Sequence, residues 1–201
     1  MDEIAVRTAS MPDVKPLSEM LARAFDDDPV TRFLLASERR RAAYAQRFFA
    51  WELRRLIPQE QVHVAADGQA AALWALPKRW RETPAEVLRL GAAVFPAIAL
   101  RLHRVLPALS AVERKHPKGA HMYLAVLGTD PSAQGQGIGS AAIASGLGLA
   151  DSEGLPAYLE SSKERNIDFY ARFGFKVVEE LQLPGGGPKV WRMWREPVSA
   201  R

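Results

Sequence analysis

The residues best suited to chemistry lie between Tyr123 and Ser140, which read Tyr-Leu-Ala-Val-Leu-Gly-Thr-Asp-Pro-Ser-Ala-Gln-Gly-Gln-Gly-Ile-Gly-Ser. An apolar stretch runs into a glycine-rich turn, and the turn opens a helix-like segment of small residues. Glycine lets the backbone adopt positive φ and come close to a ligand. The first turn of a helix offers unpaired N–H groups at the positive end of the macrodipole. Together these features make an anion site, best suited to phosphate. A P-loop would need Gly-Lys-Ser or Gly-Lys-Thr after the turn, and there is no lysine here. A dinucleotide fingerprint would need glycine at 135, 137 and 140, but position 140 is Ser. It would also open a βαβ unit rather than fall two-thirds of the way along the chain. The glycines stand instead at 135, 137 and 139, after Gln134. Taken alone, such a turn serves equally well as a plain strand-to-helix connection.

Other reactive groups are few. Cysteine is absent, which excludes disulfides, thiolate catalysis and Cys-ligated zinc, and permits a reducing cytosol. His63, His103, His116 and His121 show no metal-ligand spacing, so no metal is expected. Asp26, Asp27 and Asp28 could draw in a cationic amine or form a solvated turn. Lys163 and Arg165 read as solvated loop charges that could approach a ribose phosphate. Arg101-Leu-His-Arg104 reads as a helix face, and Trp74, Trp80, Trp191 and Trp194 as core or pocket wall. The net charge of +4 is too mild to call for nucleic acid and suits an anionic co-substrate. The most apolar stretch, Gly91 to Leu100, is half the length of a membrane span. Met1-Asp2-Glu3-Ile4 shows no signal-peptide pattern, so a cytoplasmic protein is expected.

The elements that must position these residues alternate between strand and helix. Val6 to Thr8 reads as a strand and Asp13 to Phe25 as a helix, ended by Asp26-Asp27-Asp28-Pro29. Arg39 to Leu56 is an amphipathic helix. Gln61 to Ala66 and Gln69 to Leu76 form a hairpin about a tight Asp67-Gly68 turn. Thr83-Pro84-Ala85-Glu86 can close a capping box, and the helix it starts runs toward Pro107 with a bend near Pro96. Met122 to Leu127 is a strand, Gly135 to Ala150 a helix, Ala157 to Glu160 a strand and Asn166 to Arg172 a short helix. Lys176 to Leu183 and Val190 to Arg195 are closing strands. With 201 residues, 48% hydrophobic and 25% charged, and with no linker or repeat, the chain fits one α/β or α+β domain.

The pattern Gln134-x-x-Gly137-x-Gly139 resembles the pyrophosphate-binding motif of the GCN5-related N-acetyltransferases (GNAT). Leu127-Gly-Thr-Asp-Pro131 matches the strand end before that loop. Tyr158-Leu-Glu-Ser-Ser162, Asn166-x-x-Phe-Tyr170 and Arg172-Phe-Gly-Phe175 match the second block, Val190-Trp-Arg-Met-Trp194 the last strand, and Val6-Arg-Thr-Ala9 with Asp13-Val14 the opening. Ala24-Phe25, Val62-His-Val-Ala65, Ala72-Leu-Trp74 and His116-Pro117 are similar to the puromycin N-acetyltransferase branch, which often carries an aromatic where this chain has Asp28.

The resemblance implies a mixed, mostly antiparallel sheet with a splayed strand pair. Residues 1–120 would form a helical acceptor side and 121–195 an acetyl-CoA-binding core. It implies transfer of an acetyl group from acetyl-CoA to a small amine, such as an antibiotic or nucleoside-like compound, by direct attack in a ternary complex. A protein or peptide N-acetyltransferase and a non-catalytic coenzyme A binder are the alternatives. Leu127, Gly128 and Thr129 would lie along the pantetheine arm, and Gln134, Gly135, Gln136, Gly137, Ile138, Gly139 and Ser140 would hold the pyrophosphate. Asn166 would bond the pantetheine or the loop, or else cap its helix. Tyr170 would be the general acid, because a phenol of pKa ~10 can protonate a departing thiolate. Glu160 is either the base, directly or through a water, or a strand-end charge facing water. No membrane or nucleic-acid partner is expected, and the chain would be a monomer or homodimer.

Overall fold

The computed structural model describes residues 4–198. The strands are β1 (Val6–Thr8), β2 (Val62–Ala65), β3 (Ala70–Ala75), β4 (Met122–Thr129), β5 (Ala157–Ser161), β6 (Lys176–Gln182) and β7 (Lys189–Arg195). The helices are α1 (Val14–Ala24), α2 (Pro29–Leu34), α3 (Glu38–Leu56), α4 (Pro84–Ile98), α5 (Leu102–Lys115), α6 (Ile138–Ser152) and α7 (Ile167–Ala171). The strands form one sheet in the order β1-β2-β3-β4-β5-β7-β6. Every neighbouring pair is antiparallel except β4 and β5.

That pair is the feature that makes a site. β4 and β5 are in register only at Met122↔Ala157 and Tyr123↔Tyr158. Beyond Tyr123 the strands diverge, and the β5-facing backbone of β4 loses its strand partner. β4 also carries a bulge: Leu73 pairs with Val126 and Trp74 with Leu124, which leaves Ala125 over. A bulge inserts one residue and shifts the alternation of faces. Accordingly Met122 and Leu124 pack with α6, whereas Val126 packs with α1 and α3.

One face of the sheet is covered by α1 and α3, through Leu17, Leu21, Leu53 and Leu56 against Val62, Val64 and Leu73. The other is covered by α6, through Ala142, Ile143 and Leu147 against Trp74, Met122 and Met193. The small residues of α6 follow from this contact, because a Cβ on Gly146 would collide with the Trp74 indole. A third cluster of Phe33, Ala108, Leu183 and Val190 ties α2 and α5 to the β6–β7 turn. Arg195 locks the closing strand, pairing with Asp151 of α6 at 2.7 Å and donating to the Phe173 carbonyl at 2.8 Å.

Three local expectations change. The β2–β3 connection is not a two-residue turn: Ala65 pairs with Ala70, and Ala66, Asp67 and Gly68 all take positive φ in a wider loop. The long helix after Thr83 does break, but at residues 99–101 rather than at Pro96, and the second helix runs through Pro107 to Lys115. Asp28-Pro29, read as a stop, also starts α2: the Asp28 carboxylate accepts from the Thr31 amide at 2.7 Å and Pro29 takes the first helical position. The Thr83–Glu86 capping box forms as expected, at 2.7 and 3.3 Å.

Candidate active site

The divergence of β4 and β5 opens a cavity of about 520 Å³ between the glycine turn, α1, β5 and α7. Its two ends differ in construction. At one end Gly137 sits at φ 81° as the residue preceding α6, with no side-chain cap. Among the described residues, no amide from Gln134 to Ser140 donates to a protein acceptor. These donors stand at the start of a fifteen-residue helix, where the macrodipole adds positive potential. Gly135, at φ 78°, has open space where a Cβ would stand. At Gly139 a Cβ would come within 2.8 Å of Thr129 Oγ1, so the helix start lies close against β4. Gly128 is required for packing: a Cβ there would meet Leu21 of α1 at 2.6 Å.

Leu127, Gly128, Thr129, Gln134, Gly135, Gly137, Ile138, Gly139 and Ser140 all line the cavity. Gln136 does not, and its side chain turns back to the Ser132 carbonyl at 3.5 Å. Asn166 lines it too and makes no side-chain cap, so its amide is left to the cavity rather than to α7.

The other end is made of side chains. Tyr170 is buried on α7, lines the cavity and makes no side-chain hydrogen bond with the rest of the described chain. Burial, with the nearby Asp28 carboxylate, pushes its phenol well above the usual value. It therefore keeps its proton at neutral pH. Asp28 is 3% exposed. Besides capping α2 it accepts from the Ser162 hydroxyl, and Asp27 pairs with both Lys163 and Arg165. The acidic loop thus joins the α1–α2 corner to the segment after β5.

Glu160 lines the cavity from β5, with its side chain 11% exposed. Its Oε1 is buried without a hydrogen-bond partner. Around it stand Tyr123, Tyr158 and His116, with His116 Nδ1 at 3.8 Å from Oε1. Burial and then the Glu160 charge push both phenols up. Glu160 is therefore not a strand-end charge turned to water. Nothing in the sequence marks His116 and His121 as a pair, since neither their spacing nor their neighbours point to a shared site. Their Nε2 atoms lie 3.0 Å apart. Among the described residues no group of three His, Cys, Asp or Glu side chains could hold a metal.

The model of the acetyltransferase (GNAT) family matches residues 19–175, most of the chain and all of this cavity. The chain belongs to the GNAT acetyltransferase family. It is an N-acetyltransferase with acetyl-CoA as its co-substrate. An uncharacterised N-acetyltransferase of Schizosaccharomyces pombe is 26% identical over 93% of this chain and 80% of its own length. A Corynebacterium glutamicum structure described as histone acetyltransferase HPA2 and related acetyltransferase shares the fold, with TM-score 0.71, 24% identity and 99% of both chains covered. The polyamine N-acetyltransferase of Drosophila melanogaster does so at TM-score 0.65 and 16% identity, over 96% of this chain and 100% of its own. No described helix is long and apolar enough to cross a membrane.

Proposed function

We propose that this GNAT acetyltransferase acetylates the amine of a small molecule by direct attack in a ternary complex. The observation that carries the reading is one cavity with two kinds of lining: the free-amide residues Gln134, Gly135 and Gly137 to Ser140 at one end, and Glu160 with Tyr170 at the other. The amides fit a diphosphate, because they are fixed donors that need no side chain to move. Leu127, Gly128 and Thr129 would follow the pantetheine, and Asn166 would anchor it. Acetyl-CoA supplies an activated acyl carbon and a thiol leaving group.

Each protein group then has one task. Glu160 takes a proton from the acceptor ammonium, leaving a neutral nucleophile. The unpartnered β4 backbone offers N–H donors where negative charge develops on the acyl oxygen. Tyr170 returns a proton to the sulfur. Positioned proton transfer of this kind contributes about 10²- to 10⁴-fold. Residues 1–120 would shape the acceptor side, through Phe25 and Asp28 in the wall, and 121–195 the co-substrate side.

A small acceptor is favoured over a peptide because the loop from Asp26 to Asp28 is pinned to residues 162–165 across the site. A peptide would need an open groove there. The structural relatives include enzymes named for polyamine and agmatine, which are small amines. The similarity to the puromycin branch adds a nucleoside-type amine to the acceptors worth assaying. The test is thiol release from acetyl-CoA with polyamines, agmatine, arylalkylamines, aminonucleosides and a lysine peptide. Turnover of a small amine but not the peptide is expected. No turnover with any amine, together with no coenzyme A binding by calorimetry, would overturn the reading.

A further inference from the structure

Behind Glu160 lies a chain of hydrogen-bonding groups that leads away from the cavity. His116, 7% exposed, follows α5, and His121, 1% exposed, precedes β4. His121 Nδ1 is 2.7 Å from the Gly119 carbonyl, and the two histidine Nε2 atoms are 3.0 Å apart. A carbonyl can only accept, so His121 Nδ1 carries a proton. In neutral His121 the Nε2 is then a lone pair. His116 Nε2 must be the donor across the 3.0 Å contact. Neutral His116 consequently presents a lone pair at Nδ1, toward the buried and unpartnered Oε1 of Glu160. With Glu160 ionised, two acceptors face one another across 3.8 Å. One added proton turns that opposition into an ion pair.

We infer that His116, fixed in one tautomer by His121, is a positioning residue that shares with Glu160 the proton removed from the acceptor amine. The inference rests on the reading of Glu160 as base. The ammonium N–H bond breaks, its electron pair stays on nitrogen to attack the acyl carbon, and the proton passes to Glu160 and on to His116 Nδ1. The His116 Nε2–H bond is kept throughout. The imidazolium so formed donates to His121 at Nε2 and faces the Glu160 carboxylate at ion-pair distance, 3.8 Å, on its Nδ1 side.

The surroundings hold that ring in place. Trp80 stacks on the His116 ring at 3.6 Å, and Tyr123 and Tyr158 pack against it in T-shaped contacts at 4.8 and 5.0 Å, which fix the ring's orientation. Burial pushes the His121 pKa down, which keeps that ring neutral and its lone pair available. The other charged groups around the cluster are already engaged. Arg192 of β7 donates to the Tyr158 hydroxyl at 2.9 Å and pairs with Glu179. Arg55 and Glu52 of α3 pair at 2.5 Å, and Arg81 lies over the Trp80 ring at 5.0 Å. Glu160 is the one carboxylate in the cluster without an ion-pair partner other than His116.

Two measurements decide it. The first needs no substrate: ¹⁵N NMR of the imidazoles in the full chain. Neutral His121 should be protonated at Nδ1 and neutral His116 at Nε2, and Glu160→Gln should alter the His116 Nδ1 signal while leaving His63 unchanged. Neutral His116 protonated at Nδ1, or a His116 signal indifferent to Glu160→Gln, would overturn the inference. The second is the pH profile of kcat/KM. His116→Gln should lower kcat/KM by roughly 10- to 100-fold and displace the acidic limb, with the KM for acetyl-CoA within about twofold. His121→Phe, which keeps ring bulk but removes the lone pair, should displace the same limb with a smaller loss. Profiles of both variants that superpose on the wild type after scaling would mean the histidines only pack. Absence of turnover with any amine would instead remove the proposed function, and the tautomer measurement would still decide whether the pair is built to share a proton.

Discussion

The two ends of the cavity solve different problems with different materials. The end at Gln134–Ser140 is made of consecutive backbone amides, set by two positive-φ glycines and the start of α6. The end at Glu160 and Tyr170 is made of side chains brought from β4, β5, α7 and the segment between α5 and β4. Backbone donors are indifferent to side-chain identity, so that end should tolerate polar substitutions and resist only changes in φ or in space. Side-chain groups act by their own proton affinity, so at the other end a single atom should matter. The contrast is testable, and the expected effects run from rate to affinity to stability.

The largest effect belongs to Tyr170→Phe. It removes one oxygen from a buried phenol and leaves the aromatic packing with Phe169 and Phe175 in place. kcat should fall by about 10²- to 10³-fold, as for loss of a general acid, with coenzyme A affinity unchanged within about twofold by calorimetry. A variant with undiminished kcat would show that this end, too, works without side-chain chemistry.

The matching test of the amide end is Gly139→Val beside Ser140→Ala. A Cβ at 139 already comes within 2.8 Å of Thr129 Oγ1, and a branched side chain adds bulk where α6 meets β4. Coenzyme A affinity should weaken by at least tenfold, which is ~1.4 kcal/mol. Ser140→Ala, which leaves its amide in place, should change affinity by less than about threefold. Equal losses in the two variants would mean that the Ser140 hydroxyl, not the backbone, holds the ligand.

The same contrast explains what the sequence revealed. The amide end is a local arrangement, written in consecutive residues as glycine after an apolar strand, and so it could be read. The Thr83–Glu86 capping box and the amphipathic faces of α1 and α3 were legible for the same reason. Tyr170 was legible through a family resemblance and Glu160 as a carboxylate in an otherwise apolar strand, and both line the cavity. The histidine pair was not legible, because its contacts depend on how the segment after α5 folds back beside β5. Nor was the bulge at Ala125: Leu124 to Leu127 is uniformly apolar, so nothing marks where the alternation shifts. Helix α2 was hidden because Asp-Pro serves equally as a stop and a start.

Asp28 comes below both ends in expected effect. Its carboxylate caps α2 and accepts from the Ser162 hydroxyl, so it joins the acceptor wall to the segment after β5. Asp28→Ala should cost about 1 kcal/mol through the lost cap alone, seen as a Tm lowered by ~2–4 °C. Asp28→Asn keeps the capping oxygen and should recover most of that loss. It also removes a negative charge that, after burial, helps hold the Tyr170 proton. Any alkaline limb of kcat should therefore move to lower pH in Asp28→Asn. A limb that stays in place would separate Asp28 from the chemistry and leave it a structural cap.

The smallest effect concerns Asp130, where β4 turns into the amide loop. Its carboxylate is held at about 2 by the Ser132 hydroxyl, by Arg23 and by the Ser132 amide. A carboxyl with a depressed folded pKa binds fewer protons in the folded state than in the unfolded one between the two values. Its contribution to stability is therefore complete above pH ~4, the ordinary carboxylate value, and is lost as pH falls through about 2. The Arg23 side chain is more than half exposed, so solvent screens the ion pair and the contribution is small. Asp130→Asn should lower Tm at pH 7 by about 1–2 °C, and the difference from wild type should shrink steadily on acidification. The same variant should weaken coenzyme A binding less than Gly139→Val does, because it loosens the approach to the loop without changing the φ angles that aim its amides. A larger loss of affinity in Asp130→Asn would place the organisation of that end in its anchoring side chains rather than in its glycines.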